Sequence, residues 1–147
     1  MGLWFLSLIQ MLVSAYFSAV PEMTTRQLSP SMVLVDVRSP EEFAVSHIQG
    51  AVNLQSVEDV LHLSRKHPNQ HIVIYCSVGV RSGIVARDVL KQIKTDSPMG
   101  KIYNLQGGIF RWAIEGKALV NQQGSVAVVH GFGWPWKYLL PAEIRGQ

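Results

Sequence analysis

The run YCSVGVRSG, Tyr75 to Gly83, contains the only cysteine in a chain of 147 residues. An apolar stretch precedes Cys76 and a helical pattern follows, so this run predicts a tight loop between a strand and a helix. Gly79 supplies a backbone conformation that other residues resist. The inward-facing N–H groups of such a loop, together with the positive end of the next helix, favour negative charge on the sulfur. The loop therefore predicts a nucleophilic thiolate at Cys76.

The other interpretation of Cys76 is structural, because buried cysteines at strand ends are common. A packing role does not require Gly79 and Arg81 to follow at the start of a helix. Arg81 would either attract an anionic substrate at the rim of the loop or form a surface salt bridge. One cysteine cannot form an internal disulfide, which excludes a disulfide framework. We therefore favour a reactive thiol.

The segments around this loop alternate between strand and helix patterns. Strands are predicted at 32–37 (MVLVDV), 50–54 (GAVNL), 71–76 (HIVIYC) and 101–105 (KIYNL), with helices after Ser39, Ser56, Ser82 and Gly108. This alternation predicts an α/β fold with an open parallel sheet and helices on both faces. Binding sites in such sheets lie at the carboxyl ends of the strands. Asp36 and Cys76, both at strand ends, should face the same crevice.

The composition fits one folded domain, with 48% hydrophobic and 16% charged residues. The net charge is +3 and the basic residues are scattered along the chain. We therefore predict no nucleic-acid partner. We also predict no cofactor and no metal.

The segment from Met1 to Pro21 carries no charged side chain. About 20 apolar residues suffice to cross a bilayer, so we predict a membrane anchor in residues 1–22. A signal peptide for export is the second interpretation, although the segment lacks the usual basic residues. If the segment spans a membrane, Arg26, the first basic residue, favours a cytoplasmic location for the following domain. Two further alternatives are a hydrophobic helix packed on the domain and a soluble cytoplasmic protein that starts at Met23.

Three blocks, in order, resemble the signatures of the rhodanese family of sulfurtransferases. They are LVDVRSPEEFAVSHIQGAVNL (34–54), IVIYCSVGVRS (72–82) and NLQGGIFRWAIEGKAL (104–119). The resemblance covers about residues 24 to 120 and implies a five-stranded parallel sheet flanked by helices. It divides the chain into a hydrophobic helix at 1–22, a rhodanese domain at 23–120 and an aromatic C-terminal extension at 121–147.

The resemblance also implies persulfide chemistry at Cys76. The thiolate would take a sulfur from a small anionic donor such as thiosulfate and pass it to a thiol or protein acceptor. The persulfide would be held by the substrate-binding loop, which consists of Ser77, Val78, Gly79, Val80, Arg81 and Ser82. Three residues are expected to support the site: Asp36, Arg38 and His47. We expect Arg38 to pair with Glu41 or Glu42, and His47 to brace a loop.

Two other functions compete with this one. Related folds carry a phosphatase loop between Cys and Arg, but that loop has five intervening residues and here four separate Cys76 from Arg81. The smaller loop suits a sulfur better than a phosphate. The other alternative is a non-catalytic or relay module of the rhodanese type that binds a partner and is tethered to a membrane. Retention of Cys76 favours the enzyme.

Overall fold

The computed structural model describes residues 2–93, 101–131 and 136–146. Within them, five parallel strands form the main sheet in the order β1-β5-β4-β2-β3. The strands are β1 Glu22–Met23, β2 Val33–Asp36, β3 Val52–Asn53, β4 His71–Tyr75 and β5 Lys101–Leu105. The predicted α/β fold with a five-stranded parallel sheet is confirmed.

The central strand β4 is buried on both of its faces. Ile72 and Ile74 point into one apolar layer, and Val73 and Tyr75 point into the other. All four side chains are inaccessible to solvent. A strand covered on both faces needs a continuous apolar run rather than an alternating one, which explains why this strand is so clear in the sequence.

Helices cover both faces of the sheet. They are α2 Pro40–Val45, α3 Val57–Lys66, α4 Val80–Gln92 and α5 Gly108–Ile114. Helices α3 and α4 pack in the layer of Ile72 and Ile74, whereas α5 packs in the layer of Val73 and Tyr75. Ser39 and Ser56 cap α2 and α3 through their side chains, as the sequence predicts.

The edge strand β1 was not predicted from the sequence. It consists of only two residues, Glu22 and Met23, which pair with Asn104 and Leu105 of β5. A strand this short cannot show an alternating pattern of apolar and polar residues. Its place is set by hydrogen bonds from β5, in which the N–H of Asn104 donates to the Pro21 carbonyl at 2.9 Å.

The N-terminal segment forms helix α1, Gly2–Tyr16, which packs on the domain. Leu6 is buried in the layer that holds α5, while Val13 is buried in the layer that holds α4. Phe17, just beyond the helix, lies against Gly83 of α4, where an added Cβ would come within 2.6 Å of the ring. The helix therefore contributes to both layers of the core.

The polar side chains of α1 make the remaining contacts with the domain. Gln10 donates to the Glu22 carboxylate at 2.7 Å and accepts from the N–H of Gly107 after β5. Arg111 of α5 donates to the hydroxyl of Ser7 at 3.1 Å. These contacts place α1 beside the loops at the carboxyl ends of β4 and β5.

The predicted membrane anchor is therefore wrong. Helix α1 contains 15 residues, fewer than the roughly 20 that a bilayer requires. Throughout residues 2–93, 101–131 and 136–146, no helix has the length and apolar character to span a membrane. Two polar residues of this helix, Ser7 and Gln10, bond to the domain. The predicted location at a membrane, which depended on this anchor, is overturned with it.

The C-terminal extension also packs on the domain. An antiparallel hairpin, β6 Leu119–Asn121 with β7 Gly124–Val126, leads into it from the domain, and it contains a parallel pair, β8 Val129–His130 with β9 Arg145–Gly146. Two 3₁₀ helices lie between β8 and β9 in the chain. The first, Trp136–Leu139, lies against α1, and the second spans Ala142–Ile144. Trp134, an aromatic residue of the predicted tail, falls outside the described residues.

Replacing Leu6 by Ala should destabilise the protein if α1 is part of the folded core. Leu6 has no solvent exposure, so the change should lower the free energy of unfolding by about 2–5 kcal/mol. Met11→Ala, on the same helix at 69% exposure, is the control and should change it by less than about 0.5 kcal/mol. Denaturant unfolding measures both. Equal stabilities for the two variants would mean that α1 does not dock.

Candidate active site

Cys76 directly follows β4 at the carboxyl end of the sheet, and the loop reaches α4 within four residues. Gly79 is the residue before α4 and has a φ of +103°, in the left-handed region that favours glycine. A side chain there would also come within 3.4 Å of Val13 on α1. The predicted special conformation of this glycine is present.

The sulfur of Cys76 lies against the start of α4. The N–H of Gly79 donates to Sγ at 3.2 Å, and the hydroxyl of Ser82 lies 3.4 Å from Sγ. The sequence predicts that N–H groups throughout 77–82 surround the sulfur, and the Gly79 N–H is the one at hydrogen-bonding distance. Together with the N-terminus of α4, it stabilises negative charge on the sulfur.

Asn104 holds this loop and was missed by the sequence analysis. Its amide donates to the Gly79 carbonyl at 3.0 Å, which leaves its carbonyl oxygen to accept from Ser82 at 2.7 Å. The Ser82 hydroxyl has one proton, and the shorter contact shows that Asn104 receives it rather than Cys76. A polar residue near the carboxyl end of a buried strand is the available signal, the same one that drew attention to Asp36.

The first turn of α5 supports the loop from the opposite side. The N–H groups of Ile109 and Phe110 donate to the carbonyls of Cys76 and Ser77 at 2.9 and 3.1 Å. An added Cβ at Gly108 would lie 2.5 Å from both carbonyl oxygens, so only glycine permits this approach. The loop is therefore held by hydrogen bonds at both ends.

Asp36 and Arg38 form a fully buried ion pair. Arg38 donates from Nη2 to Asp36 at 2.6 Å and to the carbonyl of Ser46 at 2.7 Å. Burial by itself would lower the pKa of Arg38, but the hydrogen bond and charge of Asp36 outweigh it and raise the pKa. The expected pairing of Arg38 with Glu41 or Glu42 is wrong, because the nearby strand end presents Asp36 to it directly.

Tyr75 extends this buried group between β2 and β4. Its hydroxyl accepts a hydrogen bond from the Ile48 N–H at 3.1 Å, and its ring centre lies 5.9 Å from the Arg38 guanidinium. Burial first, and then the charge of Asp36, raise the pKa of Tyr75 well above its ordinary value. The group connects the ends of two strands, and the hydrogen bonds of its side chains go to its own members and to the backbone of Ser46 and Ile48.

His47 lies in a loop next to this group. Its Nδ1 is 2.9 Å from the Phe43 carbonyl, and its ring stacks on Phe43 with 3.7 Å between the ring centres. Its backbone pairs with Val120 of β6 in both directions, at 2.9 and 3.0 Å. These contacts join the loop to the C-terminal hairpin.

Arg81 forms a two-pronged ion pair with Glu42 at the rim of the loop. The distances are 2.8 and 2.9 Å, and Arg81 also donates to the hydroxyl of Ser77 at 3.0 Å. Burial would raise the pKa of Glu42, but the hydrogen bond and charge of Arg81 lower it below the usual range. The charge of Arg81 is thus balanced by a carboxylate that the sequence analysis did not place in the site.

A cavity of about 120 Å³ lies next to the sulfur. The described residues that line it are Cys76, Ser77, Val78, Val80, Arg81 and Trp136. Four predicted substrate-binding residues therefore line it. Gly79 and Ser82 contact the sulfur but are not among the residues that line the cavity. Cys76 is only 1% exposed. Trp136 comes from the C-terminal extension, and nothing in its sequence surroundings indicates that it reaches a cysteine 60 positions away.

Residues 20–115 match the rhodanese-like domain family. The chain belongs to the rhodanese family. A protein named sulfurtransferase from Allochromatium vinosum is 32% identical to it over 93 residues, which cover 63% of this chain and 82% of the relative.

Solved structures show the same rhodanese fold. A thiosulfate sulfurtransferase from Pseudomonas aeruginosa superposes with a TM-score of 0.62 at 19% identity, covering 88% of this chain. This rhodanese-like chain spans only 25% of the length of that protein. A rhodanese-related protein from Thermoplasma volcanium superposes at a TM-score of 0.54 and 21% identity, over 68% of this chain and 97% of its own.

Replacing Glu42 by Gln should flatten the acid dependence of stability. The lowered pKa means that ionised Glu42 stabilises the fold fully above pH 4.5, the ordinary value, and that this is lost as the pH falls through the lowered pKa. The variant should lose about 1–2 kcal/mol near neutral pH, with a smaller difference in acid. Denaturant unfolding at several pH values measures this. Exposed Glu41→Gln is the control, and matching curves for both variants would contradict the prediction.

Replacing Trp136 by Ala should open the sulfur to solvent. Since the indole forms one wall of the cavity, we expect iodoacetamide to alkylate Cys76 about tenfold faster in the variant. Intact mass measures the rate directly, because the chain has a single cysteine. Tyr138→Ala, in the same 3₁₀ helix at 58% exposure, should react like the parent protein. An unchanged alkylation rate in Trp136→Ala would show that the indole does not shield the sulfur.

Proposed function

We propose that this protein is a sulfurtransferase that carries a sulfane sulfur on Cys76 as a persulfide. The observation that carries the proposal is the sulfur itself, which meets the N–H of Gly79 at the start of α4 and borders a small cavity. Membership of the rhodanese family, and a relative named sulfurtransferase, support the same class of reaction.

The proposed reaction has two displacement steps. In the first, the Cys76 thiolate attacks the outer sulfur of thiosulfate, the sulfur–sulfur bond of the donor breaks, and sulfite leaves with the electron pair. In the second, an acceptor thiolate attacks the outer sulfur of the persulfide and Cys76 leaves as a thiolate. Both the thiolate and the persulfide are anions, so the Gly79 N–H and the end of α4 assist both steps.

The size of the cavity agrees with a persulfide on Cys76. A cavity of about 120 Å³ is several times the roughly 10–15 Å³ that a single water molecule needs, so it has room for an added sulfur atom. Among the described residues of the wall, Arg81 is the basic one, and Glu42 balances its charge. We therefore assign the attraction for the anionic donor mainly to backbone N–H groups, with Arg81 adding its charge beside the sulfur and shaping the wall through Ser77.

Asp36, Arg38 and His47 are proposed as positioning residues. Asp36 and Arg38 bond to each other and to the backbone, and His47 bonds to Phe43 and Val120. Each holds a loop or a strand end near the carboxyl edge of the sheet. They would act on the reaction only through the placement of the loop that follows β4.

A second candidate is a non-catalytic module of the rhodanese type that binds a protein partner. The observation that favours it is the 1% exposure of Cys76, because a sealed thiol reacts slowly. In this case the cavity would remain closed and thiosulfate would leave the protein unchanged.

Incubation with thiosulfate, followed by intact-mass measurement, separates the two candidates. The sulfurtransferase should gain the mass of one sulfur atom, lose it on addition of cyanide, and gain nothing as Cys76→Ala. The matched control is Ser125→Ala, at an exposed position of the C-terminal hairpin, which should load like the parent protein. A folded protein that gains no sulfur would refute the proposed function and favour the binding module.

A further inference from the structure

An apolar groove runs along the outside of the cavity that holds Cys76. It lies between α1 and α4 and has a volume of about 610 Å³, within the usual range of small-molecule sites. The side chains that define it most clearly are Leu12, Tyr16, Val80, Ile84, Arg87 and Trp136. The groove exists because α1 docks beside α4, so it is built by the N-terminal segment rather than by the sheet.

The groove and the cavity share part of their walls. Val80 and Trp136 line both spaces, so a molecule in the groove would have one end beside the sulfur pocket. The pocket alone holds only about 120 Å³. Any larger molecule that brings a sulfur atom to Cys76 has to place the rest of its body elsewhere, and the groove is the adjoining space.

The walls of the groove determine the chemistry of that body. Leu12 and Tyr16 are 63% and 75% exposed, and Ile84 is 41% exposed, so uncovered apolar surface faces the groove. Among the described residues of the wall, Arg87 is the charged one, and it already contacts Asp88 at 3.1 Å and faces the ring of Phe17. Apolar groups gain free energy by covering such a surface, whereas a free anion finds little to replace its water.

We propose that the groove binds the apolar body of the sulfur acceptor, a small alkyl or aryl thiol. This inference rests on the proposed function and adds the class of acceptor. The body lies between α1 and α4, and its sulfur reaches past Val80 and Trp136 to Cys76. The acceptor thiolate attacks the outer sulfur of the persulfide. A new sulfur–sulfur bond forms, the bond to Cys76 breaks, Cys76 leaves as a thiolate, and the acceptor departs as its persulfide anion.

The groove can be tested without any sulfurtransferase activity. S-methyl and S-hexyl methanethiosulfonate both transfer their alkylthio group to a thiolate and release methanesulfinate. The full-length protein is labelled with each reagent, and the rate at Cys76 is followed by intact mass. N-acetylcysteine gives the ratio of the two rates for a free thiol. Since each fully buried methylene favours binding about fourfold, we expect the hexyl advantage on the protein to exceed the free-thiol ratio by at least about tenfold.

Two matched variants on α1 localise the effect. Leu12→Gln places an amide in the groove and should reduce the hexyl advantage at least about threefold. Met11→Gln changes the next residue, which is 69% exposed and does not line the groove, and should keep the advantage. A ratio equal to that of N-acetylcysteine, or equal losses in both variants, would overturn the proposed groove.

A second measurement ties the groove to the acceptor. Protein loaded with sulfur from thiosulfate is discharged with ethanethiol or hexanethiol, whose thiol groups have similar acidity. We expect hexanethiol to discharge it about tenfold faster at equal concentration. Equal rates would overturn the acceptor assignment. Failure to load at all would refute the proposed function, and the labelling experiment would still decide whether the groove binds apolar chains.

Discussion

The site depends on one constraint, the tight fixing of the backbone that follows β4. Asn104 of β5 holds the carbonyl of Gly79, and the first turn of α5 donates to the carbonyls of Cys76 and Ser77. These bonds come from elements on different sides of the loop. The loop therefore cannot move toward one element without breaking its bonds to the other. The sulfur is consequently fixed against the N–H of Gly79 before any substrate arrives, which is the condition for effective stabilisation of charge.

Charge near the site is balanced rather than exposed. Arg38 is paired with Asp36 in the core, and Arg81 is paired with Glu42 at the rim. In each pair the carboxylate outweighs the effect of burial and raises the pKa of the arginine, and at Arg81 the neighbouring Cys76 raises it as well. The side chains of Asp36 and Arg38 therefore mainly fix geometry. The positive character at the sulfur comes from the backbone, from the N-terminal end of α4 and from Arg81 beside it.

The N-terminal and C-terminal segments change the surroundings of the sulfur more than its immediate contacts. Val13 of α1 lies beside Gly79, Phe17 just beyond the helix lies against Gly83, and Trp136 forms one wall of the cavity. Glycine at position 83 leaves the space that the ring of Phe17 occupies. The same sheet and loop without these segments would present a more open sulfur and no apolar groove beside it.

Local patterns in the sequence were sufficient to predict most of the sheet and the position of the loop that holds Cys76. The continuous apolar run at β4 and the serine caps of α2 and α3 depend on neighbours in the chain, so they could be predicted from neighbours. The same holds for Gly79, because a turn from strand to helix within a few residues demands its conformation.

What the tertiary structure alone decided are the contacts between distant parts of the chain. A run of uncharged residues has the same composition whether it crosses a bilayer or packs on a domain, and only the docking of Leu6 and Val13 distinguishes the two. Packing between distant segments likewise determines which carboxylates pair with Arg38 and Arg81. It also determines that Asn104 holds the loop and that Trp136 lies beside Cys76. Patterns along a chain report secondary structure and burial, whereas pairing between side chains is fixed by packing in three dimensions.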